Sequence, residues 1–295
     1  MVSKLEILGQ HLIKRTLGRN QDYGGIYTEV TAAQGSGKTS VLLSFTNHTI
    51  DQHPKEKIFW REQYDAPLQT FKLGLDKINF LVMEGSNVVF RDRNKKLKEV
   101  DIGQNYFKSN EVVIGLRKEG KEQVPIYGLQ PDFDDLWEKA IPGKANVVFF
   151  GDPHLWMDFI HALRSIGEWV NVYIDELADI APAVCSGDLY RKVLNFANDM
   201  GAVRRCMMNV MTDTQTVQDV HWTVRKKVMM KIFLPGAITD KVSRVTQKAI
   251  DNLERDPVKG SEGYIDMGGQ FGRVKFTDIY KPDPKYHIES HVKNV

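Results

Sequence analysis

Short apolar stretches alternate with amphipathic ones along most of this chain. Strand-like runs are predicted at residues 25–30, 57–61, 146–150, 170–174, 207–211 and 229–234. Helical patterns are predicted at residues 39–47, 133–140, 157–165, 189–200, 217–227 and 239–254. Such alternation is typical of a mostly parallel sheet covered by helices on both faces. The pattern therefore predicts a single α/β domain over residues 1–295, closed by a hairpin at 263–279.

Residues 78–128 interrupt this alternation and are interpreted as a β-rich insertion within the domain. Its first half holds two strand-like runs, 78–83 and 87–91. We expect these two runs to pair as a hairpin, because a Glu-Gly-Ser turn separates them. Its second half holds another pair, 111–116 and 124–127, around a Glu-Gly turn.

The composition is that of an ordinary globular protein. Of the 295 residues, 42% are apolar and 26% are charged, and the net charge is +2. A charge this small does not predict binding to a polyanion, so any basic surface must come from local clustering. The apolar runs are too short to span a bilayer, and Cys185 and Cys206 do not suggest a disulfide framework. We expect a cytoplasmic protein without a membrane span, in the host cytoplasm if the chain is viral.

A glycine-rich turn, Ala-Ala-Gln-Gly-Ser-Gly-Lys-Thr, follows the first predicted strand and opens the next helix. This is the context in which a Walker A motif is meaningful, although Ala32 replaces its usual first glycine. Backbone N–H groups of such a loop point at phosphates. Lys38 would reach the β and γ phosphates of ATP, and the Thr39 hydroxyl would ligate Mg²⁺. The predicted nucleotide-binding residues are Gly35, Ser36, Gly37, Lys38, Thr39 and Ser40.

A second motif is an apolar strand, Val-Tyr-Ile, that ends in Asp175 and Glu176. Two carboxylates at the end of a buried strand are costly unless they have a partner, and this end of a parallel sheet faces the ligand crevice. Asp175 fits the Walker B residue that holds magnesium. Glu176 fits the general base that activates the attacking water. The alternative is an acidic pair at a helix N-terminus.

A polar segment, Thr-Asp-Thr-Gln, follows the strand predicted at 207–211. The amide of Gln215 at this strand end could contact the γ-phosphate or position water. Arg204 precedes Gln215 by eleven residues and is followed by Arg205. An arginine just before a strand could project into a neighbouring subunit's site and stabilise transition-state charge there. The alternative for both arginines is compensation of a helix C-terminal dipole.

The combination of Gly-Ser-Gly-Lys-Thr, Val-Tyr-Ile-Asp-Glu and Thr-Asp-Thr-Gln with its upstream arginine resembles the FtsK–HerA superfamily of ring-forming DNA-pumping ATPases. The resemblance covers about residues 25–80 and 130–280. It implies a RecA-like (ASCE) P-loop fold, ATP and Mg²⁺ as cofactors, and a hexamer around a DNA channel. It also implies that Gln215 is the sensor and Arg204 the trans-acting finger, with Arg205 and then Arg225 as reserves.

The chain departs from the larger members of that superfamily, because no membrane helices, winged-helix tail or N-terminal barrel are recognisable in it. It resembles instead the compact viral genome-packaging ATPases and the ATPases of archaeal mobile elements. The predicted partner is double-stranded DNA, bound through a basic run in the insertion. This run consists of Arg91, Arg93, Lys95, Lys96 and Lys98. The alternative is an ordinary solvated loop.

Two other functions remain open at this stage. One is a P-loop ATPase that drives virion morphogenesis or secretion, although proteins of that kind usually carry a membrane span. The other is a nucleotide-dependent switch or scaffold with little turnover, which has less need of a base such as Glu176. The pair Arg61-Glu62, at the end of the second predicted strand, is expected to be a surface ion pair.

Overall fold

A computed structural model describes residues 4–19, 24–93, 98–119, 122–239, 243–256, 260–268, 270–276 and 288–293. The helices are α1 Lys4–Thr16, α2 Lys38–Gln52, α3 Phe133–Lys139, α4 Leu155–Leu163, α5 Gly187–Ala202, α6 Trp222–Arg225 and α7 Gln247–Asp251. The first eight strands are β1 Tyr27–Thr31, β2 Lys57–Arg61, β3 Ile78–Met83, β4 Asn87–Asp92, β5 Lys98–Glu99, β6 Gln104–Phe107, β7 Ser109–Glu119 and β8 Glu122–Pro131. The other strands are β9 Ala145–Phe149, β10 Val170–Ile174, β11 Met208–Thr214, β12 Met230–Phe233, β13 Arg255–Asp256, β14 Gly260–Met267, β15 Gln270–Phe276 and β16 Ile288–Lys293.

The main sheet has a parallel centre and an antiparallel edge. Its parallel strands run in the order β12-β1-β11-β10-β2-β9-β3-β6. At the β12 edge, β14 is antiparallel to β12 and itself pairs with β13 and β15. Because the central strands are parallel, β1, β11, β10 and β2 all end at the same edge of the sheet.

The central strands are buried on both faces, as is usual for a parallel sheet covered by helices, and apolar side chains dominate in β9 and β10. Every residue of β1, β9 and β10 is buried. Trp60 stacks on Tyr173 on the face that α2 covers, with ring centroids 5.5 Å apart. Phe59 points to the opposite face and meets Phe159 of α4 edge-on at 4.9 Å. No helix in the described part of the chain is long and apolar enough to cross a membrane.

The expected hairpin between residues 78–83 and 87–91 does not form. Instead, β3 lies between β9 and β6 in the main sheet and is parallel to both. The next strand, β4, pairs with β16 and β5 in a separate antiparallel sheet. All six residues of β3 are buried. In an isolated hairpin the faces of such a strand would stay exposed, whereas in the main sheet its side chains pack into the core on both faces.

The second hairpin of this region is confirmed, since β7 and β8 pair antiparallel over their whole lengths. The C-terminal hairpin is confirmed by the pairing of β14 with β15. That residues 78–128 form one insertion stays a prediction.

Two predicted helices are shorter in the structure. In place of 239–254, only α7 is helical among the described residues, and it begins where the Thr246 hydroxyl accepts a hydrogen bond from Ala249 N at 3.3 Å. In place of 217–227, a 3₁₀ turn at Val217–Asp219 precedes α6. The two are separated because Val220 forms an antiparallel bridge with Pro182.

Asn146 at the start of β9 ties three segments together within the core. Its side-chain N–H group donates to the carbonyl oxygens of Ile58, Ile141 and Lys144 at 2.9, 3.0 and 3.1 Å. Its oxygen accepts from Asn79 Nδ2 and Ile141 N at 2.9 and 2.8 Å. The residue is fully buried, so these groups have no exposed alternative.

We expect Asn146→Ala to lower the free energy of unfolding by about 2–4 kcal/mol, because it leaves several buried polar groups unpaired. The measurement is the midpoint of urea unfolding. Asn110→Ala, on the exposed face of β7, serves as the control and should change stability by less than about 0.5 kcal/mol. Equal midpoints for the two variants would contradict this role of Asn146.

Candidate functional site

The loop between β1 and α2 has the geometry of a phosphate-binding turn. Gly35 and Gly37 have φ angles of 71° and 93°, which glycine adopts without strain. The helix α2 begins at Lys38, so its unpaired N–H groups face the loop. Ser261 of β14 donates a hydrogen bond from its hydroxyl to the Ser36 carbonyl at 2.7 Å. The loop is therefore held from the antiparallel edge of the sheet as well as by its own helix.

The two predicted nucleotide motifs meet at the carboxyl edge of the sheet. The Thr39 hydroxyl lies 3.4 Å from Asp175 Oδ1 at the end of β10. The Lys38 side chain is buried and its Nζ lies 3.4 Å from the carbonyl oxygen of Ala32. Burial raises the pKa values of Asp175 and Glu176, and the positive charge of Lys38 opposes the rise at both carboxyl groups.

Glu176 occupies a left-handed backbone conformation, with φ 56° and ψ 82°. For a residue with a side chain this costs about 1–3 kcal/mol, and it persists only where the surroundings impose it. Here the Glu176 N–H donates to Asp213 Oδ1 at 2.7 Å. The Thr214 hydroxyl lies 3.4 Å from Glu176 Oε1, and the backbone of Gln215 donates a hydrogen bond to this carboxylate. The end of β11 thus fixes both the backbone and the side chain of Glu176.

Asp213 is a third carboxylate at this edge, and the sequence interpretation gave it no role. The strand was expected to end at residue 211, but β11 continues to Thr214. Since β11 lies between β1 and β10, this extension places Asp213 between the phosphate loop and Asp175. Asp213 is fully buried, and its Oδ2 has no hydrogen-bond partner among the described residues.

Burial is the main cause of the pKa shifts of the three carboxyl groups at this edge. It raises the pKa of Asp175, of Glu176 and, most strongly, of Asp213. The neighbouring charges of Asp175 and Glu176 raise the pKa of Asp213 further, while Lys38 lowers it. Arg61 and Lys38 both oppose the rise at Asp175, but the pKa values of all three carboxyl groups stay raised, so an additional cation would be favourable here.

The donor set fits Mg²⁺, a hard cation that prefers oxygen ligands. The Thr39 hydroxyl and the Asp175 carboxylate would hold the ion, with the unpartnered Asp213 oxygen nearby. Within the described residues, no group of three or more His, Cys, Asp or Glu side chains forms a closed metal site. In nucleotide sites, waters and substrate phosphates supply most of the Mg²⁺ ligands.

Arg61 and Glu62 are not the surface ion pair that was expected. Both side chains are buried, at 2% and 1% exposure, and each has other partners. Arg61 forms an ion pair with Asp179 at 2.8 Å. Glu62 accepts hydrogen bonds from the Thr70 N–H and hydroxyl at 2.7 and 2.6 Å, and burial with the Asp175 charge raises its pKa to about 7. The expectation was wrong because the segments that follow β2 and β10 cover this strand end and bury both side chains.

The remaining candidates lie in different places. Gln215 is exposed directly after β11, at the same edge as Glu176. Arg204 and Arg205 are exposed before β11, at the opposite edge of the sheet. The seven residues of β11 separate the two edges by about 23 Å at ~3.3 Å per residue. Arg225 ends α6 and is partly exposed. The structure therefore does not bring Arg204 or Arg205 to the carboxylates of the same chain.

The basic run of the predicted insertion lies among acidic residues. Arg91 is paired in register with Glu289 of β16 and Glu99 of β5. Arg93 is 64% exposed and its Nε lies 3.3 Å from Glu289 Oε1. Lys98 is exposed on β5. Two members of the run, Lys95 and Lys96, lie outside the described residues.

The sequence matches no protein-family model and no curated protein at a significant level. Solved structures do share its fold. The genome packaging NTPase B204 from Sulfolobus turreted icosahedral virus 2, in complex with AMPPCP, aligns with a TM-score of 0.54 and 10% identity over 87% of this chain and 98% of B204. The same protein in complex with ATP-gammaS aligns with a TM-score of 0.51 and 10% identity over 88% of this chain and 100% of B204. This chain therefore has a RecA-like P-loop NTPase fold.

Proposed function

We propose that this chain is an Mg²⁺-dependent ATPase that works as a ring motor, translocating or packaging double-stranded DNA. The observation that carries the proposal is the meeting of Lys38 and Thr39 with Asp175 and Glu176 at one edge of the sheet. The similarity in fold to B204, whose structures hold AMPPCP and ATP-gammaS, supports the nucleotide. The genome-packaging role stated for B204 supports DNA as the substrate.

Each residue has a defined part in the proposed hydrolysis. The phosphate loop from Gly35 to Ser40 binds the phosphates through backbone N–H groups, and Lys38 contacts the β and γ phosphates. Thr39 and Asp175 hold Mg²⁺, which neutralises phosphate charge when it is bound. Glu176 accepts a proton from the water that attacks the γ-phosphate.

Glu176 also distinguishes a motor from a passive nucleotide switch. Its strained backbone is maintained by Asp213 at 2.7 Å and by contacts from Thr214 and Gln215. A residue held in such a conformation at a functional edge supports turnover, since a scaffold that only binds nucleotide has no use for a fixed base. By analogy with the FtsK–HerA superfamily, we propose a hexamer in which Gln215 senses the γ-phosphate.

The DNA contact is proposed for the basic run that contains Arg91, Arg93 and Lys98, together with Lys95 and Lys96. Its contacts would be to phosphates and therefore independent of base sequence. The nearby Glu289 and Glu99 reduce the local positive charge, so the exposed Arg93 and Lys98 are the strongest candidates within the described residues.

The proposal predicts that duplex DNA raises the rate of phosphate release by the purified protein, at a measured oligomeric state. Lys38→Ala should reduce nucleotide binding and phosphate release to background with or without DNA, because it removes the cation at the β and γ phosphates. Lys55→Ala, an exposed lysine after α2, is the matched control and should behave like the wild type. Full activity of Lys38→Ala would refute the assignment of the site.

We expect Glu176→Gln to bind ATP with nearly unchanged affinity and to lower kcat by about a hundredfold or more, the usual contribution of a general base. Equilibrium binding of a fluorescent ATP analogue and steady-state phosphate release measure the two effects. Glu138→Gln, an exposed carboxylate on α3, should change neither. If turnover per bound nucleotide stayed normal in Glu176→Gln, the base would have to be another group.

Arg204 can act only on a neighbouring subunit, because about 23 Å of β11 separates it from its own site. Arg204→Ala should therefore bind ATP, assemble and hydrolyse poorly. Mixing it with Glu176→Gln subunits should restore part of the activity, since some interfaces then combine an intact Glu176 with an intact Arg204. A mixture that co-assembles but stays as inactive as either parent would argue against action in trans. A fully active Arg204→Ala would transfer the role to Arg205 and then to Arg225.

A further inference from the structure

Arg61 reaches from the end of β2 across to the backbone that carries both catalytic carboxylates. Its Nη1 donates to the carbonyl oxygen of Asp175 and, at 3.2 Å, to that of Glu176. Its Nη2 donates to Asp179 Oδ2 at 2.8 Å. The side chain is 2% exposed, so its charge is separated from solvent and compensated by these acceptors.

These contacts complete the restraint of Glu176. Asp213 accepts a hydrogen bond from the Glu176 N–H. Arg61 donates to the carbonyl oxygen that precedes this N–H, that of Asp175, and to the carbonyl oxygen of Glu176 itself. The two peptide units that define the left-handed φ and ψ of Glu176 are therefore fixed from β11 on one side and from β2 on the other. Neither contact uses the Glu176 carboxylate, which stays available for a proton.

We propose that Arg61 is a positioning residue for ATP hydrolysis, which holds the Asp175–Glu176 backbone so that the Glu176 carboxylate is directed at the attacking water. This inference rests on the proposed function. It concerns a residue that acts through Glu176 and does not itself contact the nucleotide.

The side-chain chemistry explains why arginine occupies this position. A planar guanidinium offers donors in several fixed directions, and here it serves two carbonyl oxygens and one carboxylate at once. The compact ammonium of lysine sits on a flexible stem and cannot reproduce this fork. A change to lysine keeps the positive charge but removes hydrogen bonds to the Asp175–Glu176 backbone. The variant therefore tests the positioning effect of Arg61 separately from the effect of its charge.

The test compares Arg61→Lys with Arg19→Ala. Arg19 forms ion pairs with Glu56 and a 3.2 Å hydrogen bond with Asn171, at the amino end of the same strand β10. Both variants should lower the melting temperature. Arg61→Lys should also lower kcat about tenfold to a hundredfold with little change in the affinity for an ATP analogue, since small misplacements of a catalytic group have effects of this size. Arg19→Ala should leave kcat nearly unchanged.

A double-mutant cycle then shows whether Arg61 works through Glu176. In single-turnover measurements with enzyme in excess, Arg61→Lys should have no further effect in a Glu176→Gln background, because the positioned group is gone. An equal reduction of kcat in both backgrounds, or an equal loss of kcat in Arg19→Ala, would overturn the inference and leave Arg61 a structural residue.

Asp179→Ala provides a second variant should Arg61→Lys fail to fold. Asp179 is 40% exposed, and its removal takes away one anchor of Arg61. It also removes a negative charge that adds to the burial-induced rise of the Glu176 pKa, so kcat is compared on the pH-independent plateau above that pKa. We expect a severalfold lower kcat at unchanged analogue affinity, and an unchanged kcat would contradict the inference. A wild-type protein without ATPase activity would instead refute the proposed function itself. An active wild type that depends on Glu176 but not on Arg61 would refute only the positioning role.

Discussion

The repulsion among buried carboxylates at the carboxyl edge of the sheet is the constraint on which the rest of the site depends. Asp175 and Asp213 are held close together out of solvent, with Glu176 beside them and Lys38 as a nearby cation. In isolation this arrangement is unfavourable, because burial penalises each negative charge. The fold tolerates it through hydrogen bonds from backbone N–H groups and hydroxyls and through the positive charge of the nearby Arg61. A bound cation at this edge would relieve the same repulsion.

The parallel order of the strands creates this convergence. Residues far apart in sequence, such as Thr39, Asp175 and Asp213, meet because the strands that carry them end at one edge. The P-loop strand and the strand of Asp175 are separated by β11, so the end of β11 lies between the phosphate loop and the acidic pair. Asp213 and Thr214 therefore contact Glu176, and a small shift of β11 would directly displace this residue, the proposed general base.

Much of this could be predicted from the sequence. The strands at 57–61 and 170–174 were predicted with the bounds they have in the structure, because their apolar runs are short and sharply delimited. The phosphate loop was predictable since glycine spacing records a local backbone requirement. The position of β3 in the main sheet could not be predicted, because the sequence of a buried strand has the same apolar pattern whether its partner strands are local or distant. The hydrogen-bond partners of Arg61 could not be predicted from the sequence either, because they depend on the register between β2 and β10 and on the path of the loop after Glu176.

The hydrogen bond from the Ser261 hydroxyl to the Ser36 carbonyl joins the antiparallel edge of the sheet to the loop that follows the parallel strand β1. One end belongs to the proposed phosphate-binding loop between β1 and α2, and the other to the antiparallel hairpin beyond β12. Gly37 leaves room for this contact, because a β-carbon there would lie 3.1 Å from Ser261 Oγ. Because this bond links the two elements directly, a change in the shape of the loop would shift Ser261 and, with it, the antiparallel edge of the sheet. The hairpin of β14 and β15 is thus coupled to the loop, although it lies outside the parallel centre of the sheet.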